Sequence, residues 1–354
     1  MDDLYERRTP FGHRPAGLRR ERVISSPRFR AGRFRNTHRK GPGIKGNPLP
    51  VLGEYFFGGE GRTPPAPLPL VSPLPTWASS PETGLRTTWL GHSTVLLEID
   101  GARVLTDPVF GERASPLSFA GPRRFHAPPA SIAQLPALDA VLISHDHYDH
   151  LCRESVRDLL RLEVPFVTSL GVGARLEAWG VPPERITELD WWETHELPGG
   201  RLSFTAAPAQ HFSGRGLGDR NATLWSSWCI RGARHRAFFS GDTGLTDELA
   251  DIGRRAGPFD LVMLEVGAFH PSWGDIHLGP DNALAALALL GGGALLPVHW
   301  GTFSLALHAW DDPAETLFRR AESEGVRLVT PLLGAPVEPE RVERPAAWWR
   351  GLAR

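Results

Sequence analysis

Residues 145–150 form the densest cluster of metal-binding side chains in this sequence. They read His-Asp-His-Tyr-Asp-His, after the apolar run 140–143 and before a helical pattern that begins near Leu151. A buried strand that leads into a helix places the loop between them at the carboxyl edge of a sheet, where side chains from several strands converge. Three imidazoles together with the carboxylate of Asp149 are costly in a core and unusual on a surface loop, so the cluster favours metal binding.

Three later apolar runs also end in residues that bind metals. Any one of these residues alone is better explained as a hydrogen-bonded core histidine or a turn aspartate, but the loop at 145–150 reverses that balance. We therefore predict two metal positions: a first ion held by His145, His147 and His211, a second held by Asp149, His150 and His299, and a bridging carboxylate from Asp242.

The predicted ligands are nitrogen and oxygen donors without a thiolate. Such a set suits zinc, with Mn²⁺ or Fe²⁺ as alternatives, and we predict two Zn²⁺ per chain. Two such ions about 3.5–4 Å apart lower the pKa of a bridging water and stabilise the attacking and leaving oxygens of a displacement. The chemistry predicted is hydrolysis of an ester-type bond by a metal-bridging hydroxide.

The elements that position these residues form an α/β pattern. Short apolar strands follow one another from Arg86 onward, first in hairpin succession and then alternating with helices. This order is typical of sheets that pack face to face with helices outside. Before it, residues 1–84 are basic and then proline-rich, so we predict an N-terminal extension packed on a hydrolase domain at 85–354 that ends in a short tail.

Composition excludes several classes of protein. Of the 354 residues, 41% are apolar and 22% are charged, which is ordinary for a globular protein and argues against disorder. Residues 1–46 hold thirteen Arg and Lys against four Asp and Glu, so this arm suits either a solvated tail or an acidic partner. Two cysteines are too few for a disulfide framework, and neither a signal sequence nor a membrane-spanning run is visible. Cytoplasmic residence is the expectation.

The pattern His145-x-His147-x-Asp149-His150 resembles the signature of the metallo-β-lactamase fold. Further segments resemble the N-acyl-phosphatidylethanolamine-hydrolysing phospholipases D over about residues 86–305, with a weak echo at 33–36; they include Gly91-His92-Ser93-Thr94, Leu105-Thr106-Asp107-Pro108, Gly121-Pro122-Arg123-Arg124-Phe125, Pro208-Ala209-Gln210-His211 and His299-Trp300-Gly301-Thr302-Phe303. The resemblance implies a four-layer αββα sandwich, a dizinc site made by the seven ligands, and cleavage of a phosphodiester to an N-acylethanolamine and phosphatidic acid. It also implies peripheral contact with the inner face of the membrane and a homodimer.

The resemblance also directs attention to residues around the metals. His277 matches a histidine that the family places near substrate, although the residues after it depart from the family's pattern. It suits proton donation to the leaving group or contact with a phosphoryl oxygen, and a surface histidine beside a helix is the alternative interpretation. Asp149 could accept a proton from the attacking water besides binding metal. Arg123 and Arg124 are candidates for phosphate binding, and Trp273 for contact with lipid. His92 and Asp107 end early strands and are expected to hydrogen-bond to the ligands from behind, although simple packing explains them equally well.

Other functions remain open at this stage. The same metals could serve a hydrolase of another small ester, a lactone or a cyclic phosphodiester, with a different pocket. A nuclease is disfavoured, because the strong basic excess lies in the N-terminal arm and not beside the ligands. A binding or regulatory module that has lost catalysis is disfavoured by the complete set of seven ligands.

Overall fold

The computed structural model describes residues 15–38, 43, 45, 47, 49–57, 61–216 and 218–352. Much of the predicted basic arm, including residues 1–14, lies outside the described residues. The described strands are β1 (Phe29–Arg30), β2 (Arg33–Phe34), β3 (Leu85–Gly91), β4 (Thr94–Ile99), β5 (Ala102–Thr106), β6 (Ala140–Ile143), β7 (Phe166–Ser169), β8 (Ile186–Leu189), β9 (Thr194–Glu196), β10 (Ser203–Ala207), β11 (Ser227–Arg231), β12 (Arg236–Phe239), β13 (Leu261–Glu265), β14 (Ala294–Val298) and β15 (Pro336–Val337). The helices are α1 (Gly17–Ser25), α2 (Leu49–Phe57), α3 (Leu74–Trp77), α4 (Arg153–Leu159), α5 (Gly173–Ala178), α6 (Glu248–Ala256), α7 (Gly279–Leu289) and α8 (Asp312–Ala321).

Two large sheets contain thirteen of these strands. The first has the order β15-β3-β4-β5-β6-β7-β8, and its strands from β5 to β8 are parallel. The second has the order β14-β13-β12-β11-β10-β9, and its strands β12, β13 and β14 are parallel. Parallel neighbours end at the same edge of a sheet, so each sheet gathers the residues that follow several strands.

Alternation along the strands explains how the sheets pack. In β4, Val95 and Leu97 face the core between the two sheets, whereas Leu96 faces a second core outside the first sheet. Side chains of β6 alternate in the same way, with Leu142 inside and Ile143 outside. Successive side chains of a strand point to opposite faces, so a strand buried on both faces is apolar throughout.

Helices cover both outer faces. Helices α4 and α5 pack on the outer core of the first sheet, and α6, α7 and α8 pack against the second sheet. The result is a four-layer αββα sandwich, which confirms the predicted fold class. Among the described residues, no helix is long and apolar enough to cross a membrane.

Some predicted elements differ from the structure. The β-rich run 326–330 has the composition of a strand, but in the structure only Leu328 forms a bridge there, to Leu295. Strands β8 and β9 and helix α5 were not predicted, because their residues are mixed in polarity or too few to show a period.

The described parts of the extension contact the domain. Val23 and Phe34 are buried against Trp191 and Trp225, and Arg19 forms an ion pair with the buried Glu188. The tail also contacts the domain, because the buried Trp349 donates its indole N–H to Glu315 at 2.9 Å. The division at residue 84 remains a prediction.

Candidate metal centre

The predicted ligands lie where strands of both sheets end. His145 follows β6 of the first sheet, whereas His211, Asp242 and His299 follow β10, β12 and β14 of the second. Because the two sheets pack face to face, these strand ends lie close to one another. The structure therefore brings together all seven residues that the sequence predicted as ligands.

The loop 145–150 turns back on itself within six residues. The backbone N–H groups of His150 and Leu151 both donate to the carbonyl of His147, at 3.1 and 2.8 Å. This turn directs His145 and His147 towards one position and Asp149 and His150 towards another. Helix α4 then begins at Arg153 and buries Val156 and Leu159 under the first sheet, which anchors the loop at its carboxyl end.

The first ligand group consists of His145, His147, His211 and Asp242. One ligand atom from each of the four lies within 4.8 Å of all the others. The Nδ1 atom of His147 is 2.8 Å from Nε2 of His145 and 3.2 Å from Nε2 of His211. Three imidazole nitrogens and a carboxylate oxygen converge, which is the tetrahedral type of donor set that zinc prefers.

The second ligand group consists of Asp149, His150 and His299, together with His92. Nε2 of His299 and Nε2 of His92 both lie 3.1 Å from the same carboxylate oxygen of Asp149. The hydrogen bond from His92 to Asp149 is the contact predicted for a residue behind the ligands. The ring of His92 also lies close enough to the other three side chains to serve as a ligand. The second group therefore holds one imidazole more than the sequence predicted.

Asp242 faces both groups with different oxygens. Its Oδ2 is 3.6 Å from Nε2 of His211, and its Oδ1 is 3.1 Å from Nε2 of His150 and 3.3 Å from Nε2 of His299. This is the geometry that the sequence predicted for a bridging carboxylate. The residue before it, Gly241, has a φ of +53°, and a Cβ there would lie 2.5 Å from Cβ of Ser144, so this close approach requires glycine.

Buried atoms without partners show that the site fits cations. Nε2 of His150 and Oδ1 of Asp242 are buried 3.1 Å apart, and neither atom has a hydrogen-bond partner among the described residues. A buried polar atom left without a partner costs about 1–3 kcal/mol. Divalent cations held by the two groups would satisfy these atoms.

The histidines of the two ligand groups differ in the direction of their pKa shifts. Burial, reinforced by neighbouring histidines, holds the pKa of His145 well below its ordinary value, and burial does the same for His211. Burial also lowers the pKa of His150, but Asp242 and Asp149 outweigh it and hold that pKa well above the ordinary value. The same carboxylates raise the pKa of His299 to about 10 against the effect of burial. A metal ion that enters the second group therefore displaces protons.

Hydrogen bonds on the side away from the metal positions fix the orientation of several ligands. Oδ2 of Asp107 lies 2.6 Å from Nδ1 of His150, and Asp107 also accepts from the backbone N–H and the hydroxyl of Ser144. Nδ1 of His211 donates to the carbonyl of Ile276 at 2.9 Å. Such contacts leave Nε2 as the ligand atom. Asp107 occupies the place predicted for it, whereas the contribution of Ile276 comes from a backbone carbonyl and has no sequence signal.

The backbone is strained at three of these residues. His92, Asp107 and His299 have φ values of +53°, +31° and +65°, in a region that L-residues other than glycine rarely adopt. The N–H of His299 donates to the carbonyl of His92 at 3.0 Å, so two strained residues hold each other. Strain of this kind persists where the surrounding structure fixes it, and it concentrates at functional sites.

His277 lies beside both groups. Its ring is 5.1 Å from that of His211 and 5.5 Å from that of His299, and its Nδ1 is 3.9 Å from Asp242. The buried carboxylate of Glu265 lies 3.4 Å from the same nitrogen. The sequence analysis missed Glu265, although it ends the apolar strand β13 in the same way as the ligands follow their strands.

The predicted substrate-binding residues do not join the ligands. Arg123 is exposed and forms an ion pair with Glu112 at 2.6 Å. Arg124 directs its guanidinium to the carbonyls of Val109 and His126, and the ring of Phe303 lies between it and His92. Both arginines line an open pocket outside the ligand groups. Trp273 is half-buried beside His270, so its proposed lipid contact, like the phosphate contacts of the arginines, stays a prediction.

A residue of the N-terminal extension supports the first group. The side chain of Asn36 donates to the carbonyl of His211 at 2.8 Å and accepts from its N–H at 3.1 Å. The same oxygen accepts the indole N–H of Trp225 at 3.1 Å. Asn36 was not predicted as a site residue; the weak resemblance at residues 33–36 was the only sequence signal for it.

Comparison with known proteins agrees with this geometry. The model of the β-lactamase superfamily domain matches residues 102–300, a range that contains all seven predicted ligands. An uncharacterized protein of Mycobacterium tuberculosis is 50% identical over 291 residues, which cover 81% of this chain and 77% of that protein. N-acyl-phosphatidylethanolamine-hydrolyzing phospholipase D 1 of Caenorhabditis elegans is 37% identical over 268 residues, which cover 72% and 75%. The resemblance inferred from the motifs is confirmed.

Solved structures share the fold. The metallo hydrolase Igni18 of Ignicoccus hospitalis superposes with a TM-score of 0.56 at 22% identity over 72% of this chain and 97% of that chain. An isothiocyanate hydrolase from gut bacteria of Delia radicum gives 0.57 at 20% identity over 72% and 98%. This chain belongs to the metallo-β-lactamase superfamily and is a metal-dependent hydrolase.

Proposed function

We propose that this hydrolase binds two zinc ions and cleaves N-acyl-phosphatidylethanolamine to an N-acylethanolamine and phosphatidic acid. The observation that carries the proposal is Asp242, whose two oxygens face two separate ligand groups. Two bound divalent cations supply an activated water and neutralise charge that develops on phosphoryl oxygens. The substrate rests on the Caenorhabditis elegans relative, which is named for this lipid and aligns with 72% of the chain.

The more accessible residues of the site mark where substrate enters. His147, Asp149 and His277 are partly exposed, whereas the other members of the ligand groups are buried. Asp149 is held by His92 and His299 and can accept a proton from the attacking water. His277 can donate a proton to the departing alcohol. Both roles are part of the proposal.

The first experiment measures hydrolysis of N-acyl-phosphatidylethanolamine by the purified, zinc-loaded chain, with both products followed by mass spectrometry. The proposal expects an N-acylethanolamine and phosphatidic acid in equal amounts, lost in Asp242→Asn. The matched control is Asp251→Asn, the same change at an exposed position of α6, which leaves turnover intact. Metal-dependent cleavage of a lactone or a cyclic phosphodiester, without turnover of the lipid, would retain the hydrolase and refute its lipid substrate.

The metal is tested separately. Metal-free protein is reloaded with Zn²⁺, Mn²⁺ or Fe²⁺, and bound metal is counted by mass spectrometry. The proposal expects two equivalents of zinc per chain and the highest turnover with zinc. Higher turnover with one of the other ions would replace zinc in the proposal and keep the ligands.

A lipid substrate requires a surface that meets lipid, and we assign it to the loop 112–123. Leu117 and Phe119 in this loop are 46% and 78% exposed. Arg113 holds the loop in shape by donating to the carbonyls of Ser118 and Gly121, at 3.2 and 2.6 Å. The loop follows β5, at the edge of the first sheet that carries the ligands. Exposed apolar side chains beside arginines suit the interface of an anionic membrane.

Sedimentation with vesicles of anionic phospholipid tests this surface. Phe119→Ser is expected to reduce the bound fraction and to raise KM for lipid in vesicles, with little change for a soluble phosphodiester. Leu289→Ser, at an exposed position of α7, is the control. Equal binding by both variants and the unmodified chain would remove this loop from the proposal.

A further inference from the structure

Glu265 is a carboxylate at the metal centre that no ligand assignment includes. It is the last residue of β13, between β12, which leads to Asp242, and β14, which leads to His299. Its register partner across the sheet is Val298, directly before His299. The strand order therefore places this carboxylate among the ligands. It nevertheless belongs to neither ligand group, nor to a third cluster of possible ligand atoms formed by Asp242, His277 and His299.

The side chain of Glu265 is fully buried. One oxygen accepts the backbone N–H of Leu278 at 2.6 Å, whereas Oε2 has no hydrogen-bond partner among the described residues. An ionised carboxylate without a partner cation or donor is very unfavourable in a protein interior. Every donor within reach therefore stabilises this carboxylate, and Oε1, which accepts one hydrogen bond from Leu278, has a second donor close by.

His277 is that donor. Its buried Nδ1 has no hydrogen-bond partner among the described residues. It lies 3.4 Å from the same Glu265 oxygen that accepts from Leu278 and farther, at 3.9 Å, from Asp242. Leu278 is the next residue along the chain, so one oxygen of Glu265 faces two adjacent residues. A carboxylate that faces Nδ1 favours the tautomer with its proton there and leaves Nε2 for exchange with a substrate.

We propose that Glu265 is the positioning residue for His277: its carboxylate accepts the Nδ1–H and fixes the imidazole for proton transfer through Nε2. This inference rests on the proposed phosphodiester hydrolysis and extends it. The arrangement follows the general logic of a histidine oriented by a buried carboxylate. Glu265 touches neither the substrate nor the metals in this scheme and acts only through His277.

The proton transfer balances as follows. The oxygen of water forms a bond to phosphorus, and the bond between phosphorus and the N-acylethanolamine oxygen breaks. When substrate binds, Nε2 of His277 takes a proton from solvent, so the ring enters the step with a proton on each nitrogen. The departing oxygen takes the Nε2 proton, the water releases one proton to solvent through Asp149, and His277 returns to the neutral Nδ1–H form. The proton on Nδ1 stays with His277 throughout, held by Glu265.

Two esters of phosphatidic acid that differ only in the leaving group test this scheme. N-acylethanolamine is an alcohol and needs a proton as it leaves, whereas p-nitrophenolate is a stable anion and leaves without one. For the zinc-loaded full chain, His277→Ala and Glu265→Leu are expected to lower kcat for the first ester by about 10²-fold and to leave the second nearly unchanged. Glu265→Gln keeps an oxygen that can accept from the N–H of Leu278, and it is expected to lower kcat for the first ester by about tenfold.

A double variant distinguishes loss of the positioning of His277 from a general disturbance of the site. Because Glu265 acts through His277, the double variant His277→Ala/Glu265→Leu is expected to be no slower than His277→Ala alone. Glu188→Gln, a change at another buried carboxylate near the end of β8 in the first sheet, is the matched control and should show no dependence on the leaving group. Equal losses on both esters, additive losses in the double variant, or a missing metal equivalent in Glu265→Gln would each overturn the inference.

A spectroscopic measurement tests, independently of turnover, whether Glu265 sets the tautomer of His277. In ¹⁵N-labelled, zinc-loaded protein, the imidazole signals of His277 are assigned by their loss in His277→Ala. The inference expects the proton on Nδ1 in the unmodified chain and its redistribution to Nε2 in Glu265→Leu, or in Glu265→Gln if the leucine variant does not fold. An unchanged tautomer would overturn it. If the unmodified chain cleaved neither ester, the proposed function would be refuted. The spectrum would still show whether Glu265 sets the tautomer of His277.

Discussion

The two ligand groups share Asp242 but differ in the charge around it. The first group surrounds its oxygen with the three imidazoles of His145, His147 and His211, all with a pKa below the ordinary value. The second adds the carboxylate of Asp149, and two of its histidines have a raised pKa. One group is thus preformed for a cation, whereas the other carries protons until a cation replaces them.

The groups also differ in what supports them. The first is held by neutral partners, namely the hydroxyl of Ser144, the carbonyl of Ile276 and the amide of Asn36. The second is held by the buried carboxylate of Asp107 behind His150. A charged acceptor makes the stronger hydrogen bond, so the second group depends more on a single residue.

The largest effect is expected where the groups meet. Asp242→Asn removes the charge that both cations share, so both positions should lose metal and turnover should fall by about 10³-fold or more. Metal content and kcat for a phosphodiester measure this. Retention of one full metal equivalent would show that the groups do not depend on a shared carboxylate.

A smaller effect should separate the groups. Asp107→Asn leaves every ligand in place but weakens the hydrogen bond to His150, so affinity for the second metal should fall by about 10- to 100-fold. Affinity for the first metal should fall less, because Asp107 reaches His145 only through Ser144. Titration of metal-free protein with zinc against a competing chelator resolves the two steps. Asp139→Asn, which alters a partly buried carboxylate away from the ligands, is the control. Equal weakening of both steps would contradict the contrast between the groups.

A change in the N-terminal extension is expected to weaken the first metal position and not the second. Asn36→Ala removes two hydrogen bonds to the backbone of His211, so affinity for the first metal should fall by up to about tenfold. The same chelator titration measures it, with Thr37→Ala as the neighbouring control, since Thr37 bonds to Glu248 and not to a ligand. A loss confined to the second metal would be incompatible with this arrangement.

The smallest effect is on the pH dependence of stability in metal-free protein. The pKa of His299 is raised from 6.5 to about 10, so its stabilising contribution is complete below pH 6.5 and is lost as pH rises towards 10. In the first group the lowered pKa of His145 has the opposite effect, because the unfolded chain binds the proton more readily as pH falls below 6.5.

Thermal unfolding followed by circular dichroism tests this difference. Metal-free protein should lose Tm on both sides of pH 6.5. His299→Ala should reduce the alkaline decline, to which His150 also contributes, and leave the acid side unchanged. The exposed His38→Ala serves as the control. An alkaline decline of unchanged size in His299→Ala would assign it to other groups.

The sequence predicted the parts of the site that are local. The spacing of His145, His147, Asp149 and His150 within one loop, and single polar residues after apolar strands, were enough to assemble seven ligands and the layered fold. What it could not predict depends on distant contacts. Asn36 reaches His211 across 175 positions of sequence, and the extra imidazole of His92 joins the second group only because β3 and β14 end side by side.

Glu265 illustrates a different limit. A charged residue at the end of an apolar strand is ordinary in itself, and only its burial and its partner show that it belongs to the site. Arg123 and Arg124 show the converse, because a motif-like pair of cations is used for an exposed ion pair and for backbone carbonyls.

The hydrogen bond between Asp149 and His299 joins residues 150 positions apart, and it has a consequence for biosynthesis. At about 5–20 residues per second, a ribosome needs roughly 8–30 seconds to pass from the first of these residues to the second. Within that interval the first ligand group becomes complete, at Asp242, while the strand that completes the second is still missing. If the chain binds two ions as proposed, a translation product that stops between Asp242 and β14 is expected to capture one ion without gaining the second.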